Sequence, residues 1–178
     1  MHPSAYGSYR LEYPAGGWPL DSNVSECQIP YIPHRVGKCT ASHKETPQEE
    51  LVDSVLPVVD AGQAELVTND YAIDDEVRLE ATPGHTPDHV SVHLASNGSK
   101  AIITGDIIHT PVQCIELSWV SIADVDPVLA GQTRRAFLER YCNTDTLICG
   151  THFPSPSLGY IVPHGEVFQY KSIEEMSS

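Results

Sequence analysis

Positive charge is scarce in this sequence. Its 178 residues include 10 lysines and arginines against 24 aspartates and glutamates, which gives a net charge of −14 with histidine neutral. A chain this acidic repels nucleic acid phosphates and anionic membrane surfaces. The composition therefore argues against a nucleic acid partner and against a membrane partner.

Paired cysteines and long apolar runs are missing as well. The five cysteines are scattered and form no CxxC pair, so neither a disulfide framework nor a cysteine-rich zinc site is expected. No apolar run approaches the roughly 18 residues that span a bilayer. The N-terminus also lacks the basic stretch and apolar run of a signal peptide. These absences predict a cytoplasmic protein.

The first part of the chain differs from the rest. Residues 1–45 are rich in proline and tyrosine and keep neither a helical nor a strand period. Proline removes backbone donors and fixes φ, so this stretch is predicted to be an irregular N-terminal arm. A domain is predicted over residues 46–172, followed by a frayed polar tail over residues 173–178.

Hydrophobic periodicity divides the predicted domain into helices and strands. A helix is predicted over Leu51–Val59, interrupted at Pro57, and a second helix is predicted to begin at Asp126-Pro127. Asn97-Gly98 is a strong hairpin turn. Strands are predicted at residues 64–67, 77–82, 90–95, 101–104, 146–149, 158–162 and 167–170. The strand at 101–104 is mostly apolar and is predicted to be buried on both faces.

Three of these strands end in a polar side chain of metal-binding type. His85, Asp106 and His152 each follow a strand, and they would meet at one edge if the strands share a sheet. Imidazole and carboxylate are ligands that zinc and similar divalent ions prefer. Any one of these residues alone is weak evidence, since a lone histidine after a turn is more often structural. The combination predicts a metal site.

The motifs around these residues resemble those of the metallo-β-lactamase superfamily. The run Thr82-Pro83-Gly84-His85-Thr86-Pro87-Asp88-His89 resembles its TPGHTPGH motif. Thr104-Gly105-Asp106, with His109 and Pro111 beyond it, resembles its GD turn, and Gly150-Thr151-His152-Phe153 resembles its last histidine loop. The resemblance covers about residues 46–170. The nearest branch is that of the lactonases and organophosphate-hydrolase-like members.

The resemblance implies an α/β (α+β) fold, namely a partial αββα sandwich that retains mainly the C-terminal sheet and helices. It implies that His85 and His152 each bind one metal, that Asp106 bridges both, and that a metal-bound hydroxide attacks a small ester or lactone. The cofactor would be zinc or another divalent metal, and Asp106 would be catalytic. His109 would contact the substrate, and His89 would orient a ligand loop. His93 alternates with apolar neighbours and is expected to be a structural strand residue.

One part of the family pattern is missing. The HxHxDH motif that supplies the other metal ligands does not occur, and the histidines before position 80 are only His2, His34 and His43. His34 is a weak candidate ligand. The metal would then be held sub-stoichiometrically, and half a sandwich would expose an apolar face that favours a homodimer. The alternative is a non-catalytic remnant or truncated fragment of such a hydrolase.

Overall fold

The computed structural model describes residues 29–31 and 51–176. Internal contacts divide these into two units, the first with residues 29 and 51–64 and the second with residues 30–31 and 65–176. His34 and nearly all of the predicted N-terminal arm lie outside the described residues. The proposed division into arm, domain and tail therefore stays a prediction.

The first unit contains a short helical stretch. A π-helical turn at Leu51–Val55 leads directly into α1 (Leu56–Asp60). Pro57 is the second residue of α1, and the backbone before it is π-helical instead of α-helical, a local change typical of a helix that a proline interrupts. The predicted helix is thus present, and its hydrogen-bonding pattern changes next to Pro57, where the interruption was predicted. Strands β1 (Ile29–Tyr31) and β2 (Ala64–Leu66), most of whose residues belong to the second unit, form a two-stranded sheet.

The second unit is built on a six-stranded sheet with the order β3-β4-β5-β6-β7-β8. Its strands are β3 (Val77–Ala81), β4 (Val90–Ser96), β5 (Ser99–Ile103), β6 (Leu147–Cys149), β7 (Leu158–His164) and β8 (Val167–Ser172). Neighbours are antiparallel except β5 and β6, which are parallel. A parallel pair needs a crossover connection, and α2 (Pro127–Tyr141) lies within it.

The sequence patterns explain these elements. Asn97 and Gly98 form the turn between β4 and β5 with φ of 50° and 82°, as the hairpin signal predicted. Asp126 caps α2 by accepting a hydrogen bond from the Leu129 amide at 2.9 Å, and Pro127 opens the helix. After β8, Ile173–Met176 form the single helical turn α3.

The core lies between α2 and one face of the sheet. Ile102, Ile148 and Ile161 are almost completely buried on that face, and Phe137 and Leu138 of α2 belong to the same apolar cluster. His93 pairs in register with Ile102 and is buried with 8% of its surface exposed. His93 therefore lies within the sheet as the expected structural residue.

The opposite face of the sheet is apolar but only partly covered. Ile103 has 40% of its surface exposed to solvent, whereas its neighbour Ile102 has none. The prediction that this strand is buried on both faces is therefore wrong. It failed because an apolar run does not reveal whether a second layer covers the sheet. No helix in the described part of the chain is both long and apolar enough to cross a membrane.

Candidate metal centre

The candidate site lies at the edge of the sheet where three strands end. β5 and β6 are parallel, and β3 runs in the same direction because β4 is antiparallel to both β3 and β5. The carboxyl ends of all three strands therefore reach the same edge. The loops that follow them carry His85, Asp106 and His152, as the sequence predicted.

The Asp106 carboxylate lies between two histidines. Its Oδ1 atom is 2.6 Å from Nε2 of His152, and its Oδ2 atom is 3.4 Å from Nε2 of His85. Asp106 is held in a 3₁₀ turn, Gly105–Ile107, directly after β5. Each carboxylate oxygen thus faces a different imidazole, which is the arrangement expected of a residue shared between two ligand sets.

His109 belongs to the same cluster. Its ring stacks on that of His152, with centroids 4.8 Å apart and planes 13° apart. Ligand atoms of Asp106, His109 and His152 all lie within 4.8 Å of one another. The substrate-contacting role implied for His109 by the family resemblance stays a prediction, but the geometry also makes this residue a candidate ligand. The sequence feature that could have indicated this is its position three residues after Asp106, since the 3₁₀ turn between them places both side chains on the same side of the loop.

His89 supports the Asp106 turn from behind. Its Nε2 atom accepts a hydrogen bond from the Asp106 amide at 2.9 Å, and its Nδ1 atom lies 3.1 Å from the carbonyl oxygen of Thr82. Both ring nitrogens are therefore engaged, with Nδ1 carrying the proton. Gly105 makes this close approach possible, since a Cβ atom there would lie 2.7 Å from His89 Nε2. This geometry agrees with the expectation that His89 orients a ligand loop.

Burial and neighbouring charges tune the cluster for cation binding. Burial by itself would raise the pKa of Asp106, but the hydrogen bond with His152 and the proximity of His85 hold that pKa below its usual value. Burial lowers the pKa of His89 despite its hydrogen bond to Thr82. Burial also lowers the pKa of His109, and His152 and His85 lower it further. The Asp106 carboxylate is thus ionised and the His109 imidazole neutral at pH 7, the forms that bind metals, and the neutral His89 ring keeps the acceptor nitrogen that binds the Asp106 amide.

His85 has a second polar partner that sequence reasoning missed. Its Nδ1 atom lies 3.0 Å from Oδ1 of Asp124. Asp124 in turn lies close to Arg134 of α2, with Nη2 and Oδ2 3.8 Å apart. Nothing in the sequence marked Asp124, because it lies in a loop without a motif. Its neighbour Asp126 was recognised only as a helix cap.

The donor set fits a divalent cation. A carboxylate and several neutral imidazoles are the ligands of zinc and related ions. His109 Nδ1 is buried and has no hydrogen-bond partner among the described residues, and a bound cation would satisfy it. The histidines before position 80 lie outside the described residues, so this ligand set is drawn from residues 51–176 alone.

The family assignment rests on a match over most of the chain. The family model described as the metallo-beta-lactamase superfamily matches residues 25–152. The chain therefore belongs to the metallo-beta-lactamase superfamily. No curated protein is similar enough to this sequence to count as a match.

Two solved structures show how much of the superfamily fold is present. The crystal structure of hydrolase AbOPH in the beta lactamase superfamily is 25% identical, with a TM-score of 0.62, and the match covers 67% of this chain and 41% of that chain. AidC, a dizinc quorum-quenching lactonase, is 21% identical, with a TM-score of 0.60, and the match covers 70% of this chain and 44% of that chain. The chain thus spans less than half the length of each and has a partial metallo-β-lactamase-like fold, as predicted.

Proposed function

We propose that this chain is a metal-dependent hydrolase that acts on a small ester or lactone. The residues that would hold the cation are His85, Asp106 and His152, with His109 as an additional ligand. The observation that carries the proposal is the convergence of these side chains. Both oxygens of one carboxylate face a histidine, at 2.6 Å and 3.4 Å, and a third histidine has an unpartnered buried nitrogen beside them, among the residues that the structure describes.

A divalent cation held there would lower the pKa of a coordinated water and polarise the carbonyl of the substrate. The protein's own contribution is to fix the ligands. Asp106 keeps its negative charge because its pKa is lowered, and His89 holds the Asp106 backbone through its hydrogen bond. His152 is partly open to solvent, which leaves the site accessible to a substrate from that side.

The choice of ester or lactone rests on the resemblance of the sequence to the lactonase and organophosphate-hydrolase-like branch. AbOPH is a hydrolase and AidC is a dizinc lactonase. A cation that activates water and polarises a carbonyl suits both substrate classes. Zinc is proposed as the first metal to test, because imidazole and carboxylate are among its preferred ligands.

The alternative, a non-catalytic remnant, is less well supported. A chain freed from the need to bind metal would have no reason to keep four side chains of ligand type at one sheet edge. The pairs of ring centroids His85–His109 and His109–His152 are only 5.3 Å and 4.8 Å apart. Imidazoles crowded in this way around a carboxylate are typical of a cation site, and are harder to explain in a structural remnant.

The proposal is tested by measuring metal binding and hydrolysis together. The protein is purified with zinc, its metal content is determined, and hydrolysis of an aryl ester and a simple lactone is followed with and without a chelator. We expect bound metal and an activity that the chelator removes. His152→Ala should weaken metal binding at least as much as the roughly 10- to 100-fold cost of losing an outer partner of a ligand.

His164→Ala is the matched control for His152→Ala. His164 is an exposed histidine in β7, outside the candidate cluster, so its removal should change neither metal binding nor hydrolysis. Protein that acquires no metal and shows no chelator-sensitive hydrolysis would reject the proposal and favour the remnant. Equal losses in the two variants would show that His152 has no special role.

A further inference from the structure

We propose that Asp124, supported by Arg134, is a positioning residue that holds His85 with its Nε2 atom directed at the cation site. This inference rests on the proposed function, since it concerns how a metal ligand is oriented. It is carried by the network of polar contacts behind His85, on the side away from Asp106.

The contact between Asp124 and His85 fixes the histidine tautomer. Asp124 Oδ1 lies 3.0 Å from His85 Nδ1, and the Asp124 side chain is completely buried. A carboxylate can only accept, so Nδ1 carries a proton, and in the neutral ring Nε2 then keeps its lone pair. Nε2 lies 3.4 Å from Asp106 Oδ2. The lone pairs of Nε2 and Oδ2 would repel each other at this distance, and a cation bound by both atoms would remove that repulsion.

The Asp124 carboxylate is itself held in place. Its Oδ2 atom accepts a hydrogen bond from the Ser121 amide at 2.8 Å. The backbone on either side of the contact is joined as well, because the Val125 amide donates to the carbonyl oxygen of His85 at 3.0 Å. These contacts therefore hold the Asp124 loop against the His85 loop, although the two residues are 39 positions apart.

Arg134 links the Asp124 loop to the turn that carries Asp106. Its side chain is completely buried. Its Nε atom donates to the carbonyl oxygen of Ile107 at 2.8 Å, and its Nη1 atom donates to the carbonyl oxygen of Trp119 at 2.5 Å. Nη2 faces Asp124 at 3.8 Å. One guanidinium thus donates a hydrogen bond to the residue after Asp106 and lies within ion-pair distance of the carboxylate behind His85, although its Nη2 atom has no hydrogen-bond partner among the described residues.

Energetics favour a positioning role over a purely structural one. Removing a carboxylate and a guanidinium from water is costly, and apolar residues of similar size often stabilise a core equally well. The burial of Asp124 and Arg134 behind His85 is explained if the pair orients that histidine as a metal ligand. Outer partners of metal-binding histidines commonly have this role, and their loss typically weakens metal binding by about 10- to 100-fold.

The test compares two isosteric substitutions in the same loop. Asp124→Asn removes the charge behind His85 with little change of shape. Asp126→Asn is the matched control, because Asp126 caps α2 and asparagine caps equally well. Affinity for Co²⁺ is measured by absorption titration against a competing chelator. We expect about 10- to 100-fold weaker binding in Asp124→Asn and unchanged binding in Asp126→Asn.

A second measurement needs no variant at position 124. In metal-free protein labelled with ¹⁵N-histidine and held at alkaline pH, where imidazoles are neutral, the His85 signals, assigned with His85→Gln, should show a protonated Nδ1 and an unprotonated Nε2. This result supports the proposal even if Asp124→Asn fails to fold. The opposite tautomer, or Co²⁺ affinity in a folded Asp124→Asn equal to that of the parent, would overturn it.

The outcome for the parent protein separates this inference from the proposed function. If the parent binds no Co²⁺ and hydrolyses no substrate, the proposed function fails and the inference fails with it. If the parent binds Co²⁺ and Asp124→Asn binds it equally well, the hydrolase proposal stands and only the positioning role is lost.

Discussion

The histidines around Asp106 use their ring nitrogens in different ways. Both nitrogens of His89 are engaged by the protein, one with Thr82 and one with the Asp106 amide. His85 directs one nitrogen to Asp124 and the other toward Asp106. His109 has a buried nitrogen with no partner among the described residues. These differences separate an orienting histidine from candidate ligands more sharply than sequence spacing does.

Gly105 is required for the contact between His89 and Asp106. Its φ is +56°, and a Cβ atom there would lie 2.7 Å from His89 Nε2. Gly105→Ala should therefore cost about 1–2 kcal/mol in backbone strain and also displace His89. We expect a clear loss of unfolding free energy in urea, together with weaker Co²⁺ binding.

Gly98→Ala is the matched control for Gly105→Ala. Gly98 also has a positive φ, of +82°, but a Cβ atom there would have no neighbour within 4 Å among the described residues. The Gly98→Ala variant should lose stability through backbone strain alone and keep its metal affinity. Equal losses of stability in the two variants, with metal affinity unchanged in both, would show that the contact of His89 with the turn has no effect on the site.

Part of the site could be located from the sequence for a clear physical reason. His85, Asp106 and His152 each follow a strand, and strand order plus motif resemblance placed them at one edge. Asp124 and Arg134 were not recognised, because their role arises from a contact between loops 39 residues apart. Such a contact leaves no local pattern in the chain. His109 was noticed, but its place within the cluster depends on the fold of the turn after Asp106.

At the scale of elements, the start of α2 is closely joined to the His85 loop. A Cβ atom at Gly84 would lie 2.3 Å from the backbone nitrogen of Ala130, so glycine is needed where the loop meets the helix. The Asp126 amide donates to the carbonyl oxygen of Gly84 at 3.0 Å. The first turn of α2 therefore supports the loop that presents His85.

Removing the cap of α2 should lower stability by a modest amount. Asp126→Ala leaves the Leu129 amide without its side-chain acceptor, and loss of such a cap typically costs about 1 kcal/mol. Denaturant unfolding monitored by circular dichroism measures the change. Asp126→Asn should keep nearly all of the stability, and an equal loss in both variants would show that the cap makes no contribution.

The sequence predicted the strands and the start of α2 well and the 3₁₀ turns poorly. Alternation in β3 and β4 and the Asp-Pro start of α2 indicated positions within a residue or two of those observed. The 3₁₀ turns at Gly105–Ile107 and Pro111–Cys114 were not predicted. Helical turns of three or four residues are too short to show a 3.6-residue period, so their conformation depends on the surrounding contacts.

At the scale of the whole molecule, the described sheet has one covered and one partly open apolar face. On the open face, Ile103 pairs in register with Cys149, which pairs with Leu158. The exposed fractions of Ile103 and Leu158 are 40% and 37%. The chain spans less than half the length of the solved structures it resembles. An apolar face of this kind favours association of the isolated chain with a second copy.

A pair of neighbouring substitutions tests the association. Ile103→Lys places a charge on the open face and should reduce concentration-dependent association in sedimentation velocity, with little loss of stability because the side chain can reach water. Ile102→Lys buries a charge in the core and should unfold the protein. A parent that stays monomeric at all concentrations, or association unchanged in Ile103→Lys, would contradict the prediction.

The loop that carries Asp124 has a consequence for protein engineering. Residues between Cys114 and Asp126 include Trp119 and Ile122, which are largely exposed, and an exposed loop is a natural choice for exchange in protein engineering. The same segment supplies the carboxylate behind His85. If Asp124 positions His85 as proposed, a grafted loop without an acid at that position would weaken metal retention, so libraries built in this segment should keep Asp124 constant.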